Sequence, residues 1–183
     1  NHINKNNPCP DLSVLDVHSR MYAPLDEVKS YCESRLSDKP FVQCEFSYAM
    51  GNGPGDVSDY VNQWYDYDNN MGGFVWEWCD HAVYKGKAEN GKDIYYYGGD
   101  HGEFPNDANF CMDGLVYPDR TPHTGLYEYK NVLRPLIAKM VDGKITVYSR
   151  LDFIDYNEIG YISYSVELNG KEILNGKLEH SVK

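Results

Sequence analysis

The sequence has no apolar run that approaches the length of a membrane-spanning helix. It is also poor in positive charge, since 17 Lys and Arg residues stand against 28 Asp and Glu residues, for a formal net charge of -11 at pH 7. No cluster of Lys or Arg residues interrupts this acidic chain. We therefore expect neither nucleic acid nor a membrane as a partner. The N-terminal residues are polar and do not have the pattern of a signal peptide.

Cysteine is sparse, and its spacing is irregular. The chain has five cysteines and no CxxC pair, so the spacing predicts neither a paired-cysteine zinc site nor a disulfide framework. An odd number of isolated cysteines favours reduced thiols and a cytoplasmic location. The chain also lacks the HExxH, GxSxG, Walker A and GxGxxG motifs, so no sequence motif points to a metalloprotease, a serine hydrolase or a nucleotide-binding protein.

What the sequence does contain is aromatic and apolar residues in the amounts of a folded protein. Its 183 residues suit one medium domain, or one domain with part of another. Hydrophobic residues make up 42% and aromatic residues 14%, with 17 Tyr and 3 Trp. Tyr and Trp have flat apolar faces and a polar edge, which suits both a β-rich core and a sugar-binding surface.

The first half of the chain alternates between strand and helix patterns. Apolar runs predict buried strands, and apolar residues at helical spacing predict helices between them. This order is typical of parallel βα units and places the first half in the α/β class. The predicted strands are 12–17, 41–46 and 72–79, and the predicted helices are 24–36 and a segment within 55–70 that carries Val57, Tyr60, Val61, Trp64 and Tyr65.

The second half follows other patterns. Residues 80–122 are rich in Gly, Pro, Asn and Asp and show no periodicity, which predicts a long functional loop. A last helix is predicted over 124–133. Beyond Pro135 the residues alternate around Asp142-Gly143 and Asn169-Gly170, and both dipeptides predict β-hairpins. These patterns indicate a domain boundary near 133–137, followed by antiparallel β-sandwich strands.

Three candidate functional residues lie where predicted strands end. Glu45 comes at the end of the second strand, where a carboxylate can be a nucleophile, a general base, a metal ligand or a simple loop residue. Tyr22 follows the first strand and can either hydrogen-bond a carboxylate or pack as an ordinary aromatic. Trp76, in the third strand, can form a platform for a sugar or belong to the core. Alternation along that strand predicts that Glu77 points away from Trp76.

Several long stretches resemble a known family. They are CEFSYAMGN, GGFVWEWCD, YYYGGDHGEFPNDANFCMDGLVYPDRTPH and GLYEYKNV, in that order. Together they resemble the bacterial β-galactosidases of glycoside hydrolase family 2, from about Asp16 to the C-terminus. The resemblance implies that residues 1–134 form the C-terminal portion of a TIM (β/α)8 barrel, about strands six to eight. It implies that residues 135–183 are the N-terminal strands of an Ig-like β-sandwich domain.

The resemblance also implies roles for individual residues. Glu45 matches the nucleophile that forms a covalent glycosyl-enzyme, and Tyr22 matches the tyrosine that hydrogen-bonds it. Trp76 matches a tryptophan that walls the galactose site. Tyr48 stands where many members have a sugar-contacting His, so the resemblance implies a substrate-binding position at which this sequence departs from the family.

Metal ions belong to the implied site as well. Phe110 matches a residue whose backbone carbonyl binds Na⁺, and Asp113 stands where the well-studied members have an Asn ligand to that ion. Asn106 matches a residue near an outer Mg²⁺ site. The resemblance implies that the full-length enzyme binds both ions and that its principal Mg²⁺ ligands are not in this chain.

The implied function is the retaining hydrolysis of terminal β-D-galactose residues by a full-length enzyme that is a homo-oligomer. The family's acid/base Glu lies in an Asn-Glu pair upstream of the tyrosine, and no Asn-Glu pair precedes Tyr22. We therefore expect this chain to be a fragment that is inactive alone. Two alternatives stay open, a non-catalytic carbohydrate-binding or assembly module, and a fragment that regains activity when its missing part is added.

Overall fold

The structure is a computed structural model that describes residues 13–34 and 37–178. These residues divide into two compact units, and the boundary lies between Val132 and Leu133. None of the described helices is both long enough and apolar enough to span a membrane. The elements of the first unit are β1 (His18–Met21), α1 (Leu25–Ser34), β2 (Phe41–Phe46), α2 (Val57–Trp64), β3 (Asn70–Val75), β4 (Val83–Lys87), β5 (Asp93–Tyr96) and α3 (Thr124–Val132).

A three-stranded parallel sheet organises the first unit, in the order β1-β2-β3. His18 is opposite Phe41 in the first pair, and Phe41 is opposite Asn70 in the second. The predicted parallel βα arrangement is therefore confirmed. Because the strands are parallel and adjacent, their carboxyl ends lie at one edge of the sheet, where the candidate residues follow.

Two apolar clusters hold the helices to this sheet. The first contains Ala23, Val28, Cys32 and Phe41, and so joins α1 to β2. The second contains Phe46, Val57, Val61 and Val132, and so joins the end of β2 to α2 and α3. Burying a large apolar side chain contributes roughly 1.5–3 kcal/mol, and both Phe residues are fully buried. The strand that carries Glu45 is thus anchored at both its ends.

The prediction of a first strand over 12–17 is wrong within the described residues. Val14 and Leu15 are 85% and 43% exposed, and Leu12 lies outside the described residues. The pairing with β2 starts at His18, whose N–H donates to the Pro40 carbonyl at 2.9 Å. His18 is buried and stacks on Tyr31 with ring centroids 4.4 Å apart. A histidine thus takes the buried position that the apolar pattern had assigned to earlier residues.

The other elements of the first unit agree more closely with prediction. The helices α1, α2 and α3 are confirmed at slightly shorter bounds, and residues 35–36 lie outside the described part. The second strand is confirmed at 41–46. The third strand was predicted over 72–79 but occupies Asn70–Val75, because the chain leaves the sheet at Trp76 and pairs with a later segment instead.

Residues 80–122 contain a β-hairpin that the sequence analysis did not predict. β4 and β5 pair antiparallel, with Val83 opposite Tyr96 and Lys87 opposite Asp93. The loop between them contains Asn90-Gly91, in which Gly91 has φ 81. This dipeptide is a hairpin signal, and the surrounding polar residues obscured it.

The second unit consists of two hairpins and a short 3-10 turn. Its elements are β6 (Leu136–Val141), β7 (Lys144–Ser149), the 3-10 turn (Tyr156–Glu158), β8 (Ser163–Leu168) and β9 (Lys171–Lys177). Both residues of each hairpin loop have positive φ, namely 49 and 73 at Asp142-Gly143 and 52 and 73 at Asn169-Gly170. Both predicted hairpins are therefore confirmed. Within the described residues they form separate two-stranded sheets, and the sandwich stays a prediction.

Candidate active site

One open pocket of about 460 Å³ lies at the carboxyl edge of the parallel sheet. Five of the residues singled out from the sequence line it, namely Tyr22, Glu45, Tyr48, Trp76 and Phe110. Tyr22 directly follows β1, Glu45 is the penultimate residue of β2, and Trp76 directly follows β3. Three consecutive strand ends thus each contribute a side chain to the same pocket.

Tyr22 and Glu45 interact through both backbone and side chain. The Tyr22 N–H donates to the Glu45 carbonyl at 2.8 Å. The Tyr22 and Glu45 side chains also line the same pocket. Burial first, and then the interaction with the Glu45 carboxylate, raise the pKa of the Tyr22 phenol well above its ordinary value. Tyr22 is therefore a neutral phenol near a carboxylate.

Two further residues of the pocket, Tyr48 and Trp76, are held by Asp113. The Tyr48 hydroxyl donates to Asp113 Oδ2 at 2.9 Å, and the Trp76 indole N–H donates to the same oxygen at 3.0 Å. Asp113 is only 1% exposed. Burial, followed by the hydrogen bond to Asp113, raises the pKa of Tyr48 to about 12. Tyr48 therefore stays protonated and donates its hydroxyl hydrogen to a hydrogen bond with Asp113.

A pairing of two chain segments brings Asp113 next to the pocket residues Tyr48 and Trp76. Segment 77–80 runs beside segment 113–116, with Glu77 N donating to the Asp113 carbonyl at 2.9 Å and Leu115 N to the Glu77 carbonyl at 2.8 Å. The buried Asp80 carboxylate accepts from Gly114 N at 2.8 Å and contacts His123 Nε2 at 2.8 Å. The loop that carries Asp113 is thus fixed on both sides.

Glu77 joins this network, contrary to prediction. Strand alternation had predicted that Glu77 points away from Trp76, but the strand ends at Val75, and Glu77 lies close enough to Asp113 for the two carboxyl groups to interact. Burial, and then the contact with the Asp113 carboxyl, raise the pKa of Glu77. His81 Nε2 lies 3.1 Å from Glu77 Oε1. The sequence analysis had noted Glu77, and only the direction of its side chain was predicted wrongly.

One oxygen of Asp113 could serve as a ligand for a hard cation. Oδ1 of Asp113 is buried and has no hydrogen-bond partner among the described residues. An ion that prefers oxygen ligands could fill this position. The described residues hold no group of three or more His, Cys, Asp or Glu side chains able to bind a metal. Carbonyl and water oxygens would therefore have to complete an ion site here.

Two of the residues predicted to lie near metal ions, Phe110 and Asn106, differ in their position relative to the pocket. Phe110 lies at the pocket rim and is 66% exposed. Asn106 is exposed in the preceding loop, where its amide nitrogen donates to the Glu103 carbonyl and its amide oxygen accepts from Ala108 N. Asn106 is not among the residues that line the pocket, and its predicted place near an outer Mg²⁺ ion stays a prediction.

Comparison with known proteins gives the family of this chain. The sequence profile of the glycosyl hydrolases family 2, TIM barrel domain, matches residues 2–138. The chain therefore belongs to glycosyl hydrolase family 2, and the part before the second unit is TIM barrel sequence. This agrees with the parallel sheet whose carboxyl edge carries the pocket.

Curated relatives carry the name β-galactosidase. The chain is 47% identical over 173 residues to a β-galactosidase of Actinobacillus pleuropneumoniae and 45% identical over 168 residues to one of Staphylococcus xylosus. A β-galactosidase of Arthrobacter sp. (strain B7) is 35% identical over 150 residues. These alignments cover 94%, 90% and 79% of this chain. The chain spans about 17% of the length of the first two relatives and 15% of the third.

Proposed function

We propose that this chain supplies the nucleophile side of a retaining β-galactosidase, with Glu45 as the nucleophile. The observation that carries the proposal is the pocket at three consecutive strand ends, in which Glu45 lies beside Tyr22 and Trp76. A nucleophilic carboxylate must stay ionised at neutral pH, and a neutral donor beside it favours the charged form.

The proposed reaction has two displacement steps. In the first, a Glu45 carboxylate oxygen bonds to the anomeric carbon of a terminal β-D-galactose residue while the bond to the leaving oxygen breaks. A second carboxyl group gives that oxygen its proton. In the second step, this carboxylate takes a proton from water, the water oxygen bonds to the anomeric carbon, and Glu45 leaves as carboxylate. The two carboxyl groups of retaining enzymes lie about 5 Å apart.

The other pocket residues have binding roles in this proposal. Trp76 offers an apolar face to the sugar ring, and Tyr48 and Phe110 border the same space. Asp113 Oδ1 and the backbone carbonyl of Phe110 would hold a Na⁺ ion, which would supply positive charge beside the carboxylates. We also propose that the complete enzyme binds Mg²⁺, mainly through residues that are not in this chain, and is a homo-oligomer.

The second carboxyl group decides what this chain can do by itself. In the family resemblance it lies in an Asn-Glu pair, and none precedes Tyr22 in this sequence. We propose that the 183 residues alone turn over an aryl β-galactoside far more slowly than the complete enzyme. Turnover at equal rates by the two would contradict this part of the proposal.

The proposal is tested by trapping the nucleophile in the complete enzyme. A 2-deoxy-2-fluoro-β-galactoside with a good leaving group should label Glu45, and peptide mass spectrometry locates the adduct. Glu45→Gln should lower kcat by about 10⁴-fold or more, because the amide cannot form the glycosyl-enzyme. Glu89→Gln, an exposed acid in the β4–β5 loop, is the matched control and should change nothing.

The same experiment separates an enzyme from a carbohydrate-binding module. A binding module would retain sugar affinity and form no adduct at Glu45. An adduct on another carboxylate, or near-normal turnover by Glu45→Gln, would overturn the nucleophile assignment.

A further inference from the structure

We propose that Asp113 is a positioning residue that holds Tyr48 and Trp76, two walls of the pocket, in place through one carboxylate oxygen. The inference rests on the proposed function, since it concerns how the same pocket binds its sugar. It assigns Asp113 a task separate from ion binding, because a different oxygen of the carboxylate carries it.

The geometry joins two walls at a single atom. Tyr48 Oη and Trp76 Nε1 lie 2.9 and 3.0 Å from Asp113 Oδ2. Tyr48 comes from the loop after β2, and Trp76 from the end of β3. Each donor alone would leave its ring free to turn about the side-chain bonds, whereas a shared acceptor sets the position of one ring relative to the other.

Burial makes the arrangement costly to break. Asp113 is 1% exposed, and a buried carboxylate requires donors in place of water. The Tyr48 hydroxyl and the Trp76 indole N–H are the donors that Oδ2 receives among the described residues. Hydrogen bonds to a charged acceptor are stronger than those between neutral groups. The Tyr48 and Trp76 side chains are therefore held in the orientation in which both donate to Asp113 Oδ2.

The effect of Asp113 extends to the nucleophile through ring contacts. Tyr48 and Tyr22 meet edge to face, with centroids 6.0 Å apart and planes at 90°. The Tyr22 N–H in turn donates to the Glu45 carbonyl at 2.8 Å. A Tyr48 ring that loses its acceptor can move into or away from the Tyr22 face. Sugar binding is therefore expected to suffer first, and the chemical step to a smaller extent.

A double-mutant cycle in the complete enzyme tests this assignment. Asp113→Ala should raise KM for an aryl β-galactoside by about tenfold to a hundredfold and lower kcat less, as loss of hydrogen bonds to a charged group predicts. Tyr48→Phe alone should raise KM by several fold. In the Asp113→Ala background, Tyr48→Phe should add almost nothing, because its partner is already gone.

Conservative and control variants make the test specific. Asp113→Asn should stay within about threefold of wild type, since its amide oxygen can accept both hydrogens and its amide nitrogen can face Glu77. Asp68→Ala, an exposed acid before β3, should change nothing. Should Asp113→Ala reduce the yield of folded enzyme, Asp113→Leu enters the same cycle, because it fills the volume and removes the acceptor.

Two outcomes would overturn the inference. One is additive effects of Asp113→Ala and Tyr48→Phe. The other is recovery of the Asp113→Ala defect by added NaCl, which would reduce Asp113 to an ion ligand. Calorimetric binding of methyl 1-thio-β-D-galactoside, which is not cleaved, repeats the cycle without catalysis. If wild-type enzyme neither binds this thiogalactoside nor forms the Glu45 adduct, the proposed function fails; if it does both and the cycle is additive, only the role of Asp113 fails.

Discussion

Tyr22 combines an unusual backbone conformation with contacts to Glu45. Its backbone has φ 51, a conformation that costs energy for a bulky side chain. Its N–H donates to the Glu45 carbonyl at 2.8 Å, and its side chain lines the same pocket as Glu45. Ser47, two residues after Glu45, also has a positive φ of 49. Conformations of this kind persist where surrounding contacts determine them, and they often mark functional sites.

We expect Tyr22→Phe to lower kcat of the complete enzyme by about 10²-fold. In the proposed mechanism the hydroxyl would stabilise the Glu45 carboxylate as it departs in the second step, so the variant should accumulate glycosyl-enzyme and show a lower KM together with the lower kcat. Steady-state kinetics and the lifetime of the fluorosugar adduct measure both effects. Tyr127→Phe, an exposed tyrosine on α3, is the control.

The pH dependence of this variant follows from the direction of the Tyr22 pKa. Burial and the Glu45 carboxylate raise this pKa above the ordinary value for tyrosine, which is about 10. Tyr22 therefore stays protonated and donating throughout the neutral and mildly alkaline range. The ratio of wild-type to Tyr22→Phe kcat should be constant from about pH 6 to pH 9. A ratio that falls towards 1 across that range would show that Tyr22 loses its proton there.

At this scale the sequence predicted separate residues better than their contacts. Glu45, Tyr22 and Trp76 were found because strand ends can be located from apolar runs, and parallel strands share an edge. The link between Tyr48 and Asp113 spans 65 residues, and no local pattern indicates which buried acceptor a tyrosine will meet. Glu77 was placed wrongly because alternation holds only while the strand continues.

At the scale of elements, the end of β3 decides the shape of the pocket. The run of apolar residues over 72–79 predicted one continuous strand, yet β3 ends at Val75. Beyond it, Trp78 and Asp80 exchange backbone hydrogen bonds with Val116, at 3.0 Å in both cases. The competing partner lies in the loop after β5, and its position depends on tertiary contacts that a residue period does not contain. The β4–β5 hairpin was missed because its strands lie in a stretch rich in Gly, Pro, Asn and Asp that shows no periodicity.

Gly114 offers a test of this segment pairing. A Cβ at Gly114 would lie 2.2 Å from Asp80 N and 2.4 Å from the Cys79 carbonyl carbon. These are backbone atoms, so neither can move aside without opening the pairing. We expect Gly114→Ala to destabilise the folded state by about 1–3 kcal/mol or more. It should also raise KM, because the loop carries Asp113. Thermal inactivation and steady-state kinetics measure the two effects.

Gly55→Ala is the matched control for that substitution. A Cβ at Gly55 would have no atom within 4 Å, so the variant should retain wild-type stability and kinetics. Equal stability of the two alanine variants would contradict the close approach of segments 77–80 and 113–116. A loss of stability at Gly114 with unchanged KM would separate the pairing from the position of the pocket wall.

For the whole molecule, the residue pattern predicted the pairing of neighbouring strands well. The larger architecture was predicted only through the family resemblance. The parallel sheet and both hairpins of the second unit follow from apolar periodicity and from Asp-Gly and Asn-Gly turns. The family match over residues 2–138 supports the TIM barrel assignment. No local pattern could predict whether the two hairpins of the second unit belong to a sandwich, because that depends on contacts between strands distant in sequence.

The surface of the first unit leads to a prediction for the isolated chain. Met71, Phe74 and Trp78 are 62%, 67% and 60% exposed, and β3 is an edge strand of the described sheet. Exposed apolar residues on an unpaired edge favour association with another chain. The 183-residue chain should therefore bind an apolar dye and self-associate as its concentration rises, which light scattering on a sizing column measures. Phe74→Lys should reduce association, whereas Ile173→Lys, equally exposed in β9 of the second unit, should not. A wild-type chain that stays monomeric and binds no dye would show that this edge is already satisfied.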